Sequence, residues 1–357
     1  MFKGTYTRHY KERIKIMKKI YLTVDLECHD ICRKNQYIDG KCKNGEYGLK
    51  KILELGKALN IPINFFVDIV EYREYGEAYM TDIIQQIQTY GQHIYLHLHP
   101  DYITGDHERS FLWQYSYAEK KQILKAGFED YIKFLGKEPV AFRIGRYGAD
   151  KEMYQILNEE NYSVIDLSYC TSAPKMCHLT EAEIKTKNEV RNFENQTVLP
   201  NTRYIGFKIG KTKKFCNLDT SESTFNEWTR YLKRTNLDNI VLTMHVWNFI
   251  KKYFFSDTYV GADKRGEKKF IKMIRFAQKN GFEFGDFEKD FNMQSNECDE
   301  EIDLCQGIGG RLQMLFNNYL RFRKIGRLNK RYFIVYTTFY VLILLLVLIV
   351  GVHYVRI

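Results

Sequence analysis

The amino-acid sequence predicts an α/β fold, a distorted (β/α) barrel of about seven strands, plus a C-terminal transmembrane helix. Short β-rich apolar runs alternate with helix-period runs over about 270 residues, which is typical of a parallel sheet covered by helices. Seven or eight such strand-like runs suit a closed or nearly closed barrel. The run 332–354 contains no Lys, Arg, Asp or Glu and is long enough to span a bilayer.

The elements follow from the periodicity of apolar residues. Strands are predicted at residues 20–24, 63–67, 94–99, 140–143, 163–167, 204–209, 240–245 and 282–284. Helices are predicted at residues 49–59, 78–89, 118–135, 152–159, 223–233 and 270–277. Between 170 and 220 the strand at 204–209 is the one clear element, so this part of the chain is the least predictable.

The net charge of +10 is concentrated near the C-terminus. No acidic residue follows Asp303, whereas eight basic residues do, and the remaining 46 basic and 44 acidic residues leave the rest of the chain at +2. A nucleic-acid-binding body would carry its positive charge on the folded domain. We therefore expect no nucleic-acid partner, and we assign the basic character to the segment before the apolar run.

These features predict four segments. Residues 1–17 form an N-terminal extension, 18–295 the catalytic domain, 296–331 a linker with a basic juxtamembrane part, and 332–354 the transmembrane helix. Basic residues cluster just before the run and one, Arg356, follows it, so the positive-inside rule places the body in the cytoplasm. The sequence thus predicts a single-pass membrane protein with a cytoplasmic catalytic domain.

The most informative stretch is the strand that contains His97 and His99. Side chains alternate along a strand, so these two imidazoles point to the same face. Pro100 cannot donate to a ladder hydrogen bond and ends the strand, which puts the pair at its carboxyl end. Two imidazoles placed in this way can bind one cation, although they could also be half-exposed surface residues.

Other polar side chains fall at or just past the carboxyl ends of further predicted strands. In a barrel these ends meet at one face, which is where such enzymes carry their catalytic groups. The residues in this position are Asp25, Glu27, Arg143, Asp166 and His245.

Two histidines and a carboxylate suit zinc or a similar divalent ion, with positions left for water and substrate. One of Asp25 and Glu27 would then be a ligand and the other a general base, with His245 as the general acid. Arg143 could hold the base ionised, and Asp166 could hold Arg143. Alternatively, Arg143 and Asp166 form a structural ion pair, and His245 is a core imidazole.

Five segments in order resemble the motifs of the NodB-like polysaccharide deacetylases, carbohydrate esterase family four. They are residues 22–27, in a D-x-E form of the first motif, 91–100, 142–148, 164–168 and 242–245, which has the L-x-x-H pattern. The resemblance covers roughly residues 18–291. It implies a distorted seven-stranded barrel, a divalent metal and hydrolysis of an N-acyl group from an amino sugar.

By this resemblance Asp25 would be the base, Glu27 and His97 metal ligands, Arg143 the partner of the base, and His245 the acid. The family's second motif has its histidines four residues apart, which from His97 reaches Asp101. Either His99 or Asp101 would therefore complete the metal shell. Because the first motif has a Glu where an Asp is usual, the roles of base and ligand are interchangeable. His93 is expected not to be a ligand.

The sequence therefore predicts a membrane-anchored, zinc-dependent deacetylase that acts on an amino-sugar or glycan substrate. A cytoplasmic location would favour a lipid-linked glycan precursor over an exported polymer. Three alternatives remain open at this point: hydrolysis of another non-peptide C–N bond, such as a formamide or cyclic amide; a catalytically silent sugar-binding module; and a membrane-bound scaffold.

Overall fold

The structure is a computed structural model that describes residues 18–28, 34–42, 45–209, 211–253, 256–293 and 299–326, with six further positions between 338 and 346. The strands are β1 (Lys19–Leu26), β2 (Lys41–Cys42), β3 (Gly45–Glu46), β4 (Asn64–Asp68), β5 (His93–Leu98), β6 (Ala141–Ile144), β7 (Ile165–Asp166), β8 (Arg191–Phe193), β9 (Gln196–Val198), β10 (Arg203–Ile209), β11 (Thr212–Asn217), β12 (Asn239–His245), β13 (Ile250–Tyr253), β14 (Ser256–Ala262), β15 (Glu283–Phe284) and β16 (Ile302–Asp303). The helices are α1 (Lys34–Tyr37), α2 (Leu49–Leu59), α3 (Tyr72–Tyr75), α4 (Glu77–Thr89), α5 (Pro100–Thr104), α6 (Tyr117–Leu135), α7 (Lys151–Glu159), α8 (Glu181–Ile184), α9 (Phe225–Leu232), α10 (Lys264–Lys279) and α11 (Gly307–Gly326).

The main sheet contains seven parallel strands in the order β12-β1-β4-β5-β6-β7-β9. β8 adds antiparallel to β9, and β15 pairs with β1. The predicted α/β fold with a main parallel sheet is therefore confirmed. All seven strands run in the same direction, so their carboxyl ends lie along one edge of the sheet.

β12 and β9 do not pair as strands in the described part of the chain, and irregular backbone lies beside β12 on its open side. Val241 donates its backbone N–H to the Thr202 hydroxyl, and Thr243 donates to the Leu218 carbonyl. Thr220 in turn donates to the Thr243 carbonyl. These bonds satisfy backbone groups of β12 that an open sheet edge would leave exposed.

The two faces of the sheet bury different sets of apolar side chains, because successive residues of a strand point to opposite sides. One face packs Tyr21, Phe66 and Tyr95 together, which fills the interior of the curved sheet. The other face carries Leu96 and Phe142 into a much larger cluster shared with the helices. The side on which a polar residue lies therefore decides whether it faces the interior or the helices.

The helices that cover the sheet begin at sequence-encoded caps. Ser116 and Glu119 form a reciprocal capping box at α6, and Thr224 and Glu227 form another at α9. Each box satisfies backbone N–H groups that the first helical turn leaves without partners, typically worth about 1 kcal/mol. All six helices that the sequence predicts are present.

Three features of the region after residue 170 differ from the expectation. The predicted strand at 204–209 exists as β10, but it pairs with β11 and β16 in a separate sheet. The main sheet instead gains the short strands β8 and β9. The stretch expected to be a linker, 296–331, contains β16 and α11.

α11 packs on the β10–β11 hairpin. Met314 and Asn317 are buried, and Met314 lies in a small apolar cluster with Ile205 and Cys305. The Met314 sulfur also lies 3.3 Å from the backbone nitrogen of Lys208. The chain after the main sheet is thus attached to the body by these contacts.

The predicted extension 1–17 lies outside the described residues, as does most of the predicted transmembrane helix 332–354. Among the residues that the structure describes, no helix is long and apolar enough to cross a membrane.

Candidate active site

β1 and β5 bring the candidate ligands to the carboxyl edge of the sheet. Glu27 directly follows β1, and its Oε2 lies 2.7 Å from Nε2 of His99 and 3.7 Å from Nε2 of His97. One donor atom from each of the three residues lies within 4.8 Å of the others, and all three side chains are buried. This is the one group of three potential ligands found in the described part of the chain.

The tautomer of His97 follows from its contacts. Its Nδ1 lies 2.9 Å from the backbone carbonyl of Arg143, which can only accept a hydrogen bond. Nδ1 therefore carries a proton, and Nε2 is the ring nitrogen that faces Glu27. A histidine held in this way by its second nitrogen is the usual arrangement of a metal ligand.

The donor set fits a divalent ion of the zinc type. Two imidazole nitrogens and one carboxylate oxygen match three-residue catalytic zinc sites, which leave further positions for water and substrate. Burial lowers the pKa of His97, but the hydrogen bond and charge of Glu27, with the charge of Asp25, raise it overall. The surrounding carboxylates therefore favour positive charge at this position, as a metal site requires.

The position of the His99 ring depends on a glycine. A Cβ atom added to Gly145 would lie 2.6 Å from Nε2 of His99 and 2.5 Å from its Cδ2. No side chain fits there without moving the ring. Gly145 follows β6 directly, so the β6–α7 connection forms one wall of the ligand cluster.

Arg143 lies beside this cluster and pairs with Asp25. Its guanidinium contacts the Asp25 carboxylate, donates to the Thr23 hydroxyl at 3.1 Å, and sits 4.5 Å from the ring centre of Phe66. Both charged groups are buried. The structure thus separates the two predicted carboxylates: Asp25 faces the arginine, and Glu27 faces the histidines.

The predicted ion pair between Asp166 and Arg143 is not formed in the structure. Asp166 is in register with Phe142, so it faces the helices, whereas Arg143 is in register with His97 and faces the interior. Asp166 accepts hydrogen bonds from the Tyr154 hydroxyl at 2.5 Å and from the hydroxyl and backbone of Ser168. Burial raises its pKa to about 6, although these bonds oppose the shift.

His245, at the end of β12, borders the cluster on its other side. It is in register with Asp25, and its Nε2 lies 3.9 Å from Oε1 of Glu27. Its ring stacks on Trp247 with centroids 4.8 Å apart. The side chain remains 35% exposed, so it is not a core imidazole and can contact a molecule entering from solvent.

Asp101 and His93 lie outside the ligand cluster. The Asp101 carboxylate faces Nδ1 of His99 at 3.8 Å and Nδ1 of His107 at 3.3 Å. Of the two candidates for the third position, His99 is therefore the one that joins Glu27 and His97. His93 begins β5 at the opposite end of the strand, where its Nε2 lies 3.8 Å from Asp286.

Two buried acids near the cluster were not predicted. Asp68 ends β4, and Glu71 lies in the 3₁₀ turn that follows; both are fully buried. Burial raises the pKa of Glu71 to about 8, and burial with the charges of Glu71 and Glu27 raises the pKa of Asp68 well above its usual value. Asp68 shares the interior face with Phe66, but the apolar run 65–67 does not reveal that face in the sequence.

Comparisons with known proteins give structural matches alone. No protein-family model matches the sequence, and no curated protein does. A family 4 carbohydrate esterase from Streptomyces lividans matches with 11% identity and a TM-score of 0.40, over 75% of this chain and 92% of that one. A polysaccharide deacetylase from Bacillus cereus matches with 13% identity and a TM-score of 0.41, over 78% and 97%.

A third match is a CE4 family pseudoenzyme from Bacillus anthracis, with 12% identity and a TM-score of 0.42, over 80% of this chain and 69% of that one. The chain is thus similar to both an esterase and a pseudoenzyme of the same family, at low identity.

Proposed function

We propose that this chain is a metal-dependent hydrolase that removes an N-acyl group, acetyl in the first instance, from an amino sugar. The observation that carries the proposal is the buried Glu27–His97–His99 cluster lying next to the separately held pair of Asp25 and Arg143. A ligand set and a second, independently oriented carboxylate are the two parts that metal-assisted amide hydrolysis needs. His245 adds a proton donor within reach of the same cluster.

Asp25 is the proposed general base. The buried guanidinium of Arg143 contacts its carboxylate and orients it, so that it can take a proton from the attacking water. Glu27 is instead directed at the two imidazoles and is the proposed carboxylate ligand. A divalent ion held by these three residues would supply Lewis acidity for the amide carbonyl and for water.

His245 is the proposed general acid. Cleavage of an amide requires a proton on the departing nitrogen, and a partly exposed imidazole at the rim of the site can donate it. Stacking on Trp247 fixes the plane of the ring, which orients its Nε2 towards the cluster. Asp25 and His245 thus lie on adjacent strands, with the reacting amide proposed to sit between them.

The test is acetate release by the purified full-length chain in detergent, loaded with zinc. The substrates are N-acetylglucosamine oligosaccharides and a polyprenyl-linked N-acetyl amino sugar. We expect release that stops on addition of a chelator and is absent from Asp25→Asn. Release that persists in both would contradict the proposed chemistry, and sugar binding without release would favour the silent sugar-binding module.

We also propose that the substrate is a lipid-linked glycan precursor at the cytoplasmic face of a membrane. The support is the apolar run 332–354 with basic residues on its N-terminal side. The test is labelling in intact cells with a membrane-impermeant thiol reagent, on a chain whose native cysteines are replaced and whose Lys264 is changed to Cys. We expect labelling only after the cells have been permeabilised. Labelling of intact cells would place the domain outside and favour an exported polysaccharide.

A further inference from the structure

The order of strands puts Asp68 between the two ligand-bearing strands. Glu27 follows β1, and His97 and His99 belong to β5 and the residue after it; β4 lies between these strands in the sheet. Asp68 is the last residue of β4 and is in register with His97. Its side chain therefore projects from the carboxyl edge between the ligands.

Among the residues that the structure describes, one of the two carboxylate oxygens of Asp68 has a hydrogen-bond partner and the other has none. Oδ1 accepts the backbone N–H of His99 at 3.2 Å, and Oδ2 accepts no hydrogen bond from any residue that the structure describes. No lysine or arginine of the described chain forms an ion pair with it. The charged groups around it are themselves carboxylates, namely Glu71, Glu27 and Asp101.

A fully buried carboxylate without a cation is costly, because burial removes its hydration and the protein supplies one hydrogen bond in return. Arg143, the buried arginine of this region, is already paired with Asp25. A divalent ion in the Glu27–His97–His99 cluster is the cation that this arrangement lacks. Asp68 does not join the ligand cluster itself, so it would act on the ion from outside the coordination shell.

We propose that Asp68 is a positioning residue of the metal centre: it fixes the His99 backbone and supplies negative charge that strengthens binding of the divalent ion. This inference rests on the proposed function, because it takes Glu27, His97 and His99 as the ligands. Carboxylates outside a coordination shell typically change metal affinity by 10- to 100-fold.

A purely structural role for Asp68 predicts something different. If it served only to accept the His99 N–H, Asp68→Asn would retain that acceptor oxygen and leave metal affinity unchanged. If it were needed to hold the fold, the same variant would destabilise the metal-free chain. The charge role predicts weaker metal binding and a metal-free chain about as stable as the parent, because Asn retains an acceptor oxygen for the His99 N–H.

The experiment measures the Kd for zinc by chelator competition and the urea midpoint without metal, on full-length parent, Asp68→Asn and Asp286→Asn. Asp286 is a matched control, since it is also buried but lies near His93 at the opposite end of β5. We expect Asp68→Asn to raise the Kd about 10- to 100-fold. We expect Asp286→Asn to leave the Kd within about twofold of the parent.

Each other outcome decides against the inference. An unchanged Kd in Asp68→Asn, with a parent that binds zinc, overturns the role of Asp68 while the proposed function stands. A metal-free Asp68→Asn chain that is unfolded or markedly less stable assigns Asp68 a structural role and also overturns it. A parent that binds no divalent ion overturns this inference together with the metal-dependent function.

Discussion

The Arg143 guanidinium pairs with Asp25 and not with Asp166. Asp166 is on β7, the strand next to that of Arg143, but it faces the helices, whereas Asp25 on the more distant β1 shares the interior face with Arg143. The pairing directs Asp25 at an arginine, whereas Glu27 is directed at His97 and His99. It therefore distinguishes two carboxylates that stand two residues apart and are interchangeable in the sequence.

Asp25→Asn and Glu27→Gln should consequently fail in different ways. Loss of a general base leaves the ligands in place, so we expect Asp25→Asn to bind zinc with parent affinity and to lose about 10²- to 10⁴-fold in turnover. Glu27→Gln removes a ligand and should lose zinc itself. Equilibrium dialysis and acetate release measure the two properties, and the reverse pattern would exchange the two roles.

Removal of an imidazole from β5 should reduce zinc binding at the carboxyl end of the strand and leave it unchanged at the other end. We expect His97→Ala to abolish binding of about one zinc ion per chain, because its Nε2 is one of three buried donors. His93→Ala is the control, since His93 starts the same strand but faces Asp286. Isothermal titration of both variants would test this, and equal zinc binding by the two would show that the cluster is not the site.

Asp166 should make stability depend on pH in a defined direction. Its pKa is about 6 in the folded chain, above the usual value, so folding favours the protonated form. Its contribution is therefore fully present below pH 4 and is lost as the pH rises through 6, a change of about 3 kcal/mol.

Asp166→Asn cannot ionise and should escape this loss. Its stability relative to the parent, measured as the free energy of unfolding in urea, should be about 2 to 3 kcal/mol greater at pH 8 than at pH 4. The amide oxygen can still accept from Ser168, which limits other effects. A difference between parent and variant that stays constant across this range would contradict the assignment.

Gly145→Ala should displace the His99 ring. The added Cβ would approach two ring atoms to within 2.6 Å, so either the ring or the β6–α7 connection has to move. We expect zinc affinity to fall about 10-fold or more and stability by about 1 to 3 kcal/mol. Gly309→Ala, where a Cβ meets no atom within 4 Å, is the control and should retain zinc binding. An unaltered Kd in Gly145→Ala would contradict the expected displacement of the His99 ring.

The sequence predicts which residues lie at the carboxyl ends of strands better than it predicts which face of the sheet a side chain occupies. Asp25, Glu27, His97 and His245 were all expected at the carboxyl edge, and the structure brings them together there. Asp166 was expected beside Arg143 for the same reason, but a strand of two residues gives too little alternation to reveal its face. The register with Phe142, which places it towards the helices, depends on pairing between strands that local sequence does not encode.

Asp68 was not predicted because the strand before it shows no alternation of polar and apolar residues. The run Phe65–Phe66–Val67 has an apolar residue on both faces, which conceals the alternation that would have marked the residue after it as interior. β8 and β9 were missed because each has only three residues, and β9 joins the main sheet through β7, which is distant in sequence. Elements held by nonlocal pairing carry a weak local signal.

The docking of α11 on the body shortens the stretch of chain that separates the folded body from the apolar run 332–354. A freely extended linker over 296–331 would allow more than about 100 Å of separation. α11 is fixed to the body at Asn317, and from there the rest of the helix and residues 327–331 span at most about 30 Å to the apolar run. If residues 332–354 enter a bilayer, the folded body would therefore lie close to the membrane surface, and the proposed deacylation would be confined to sugars near that surface.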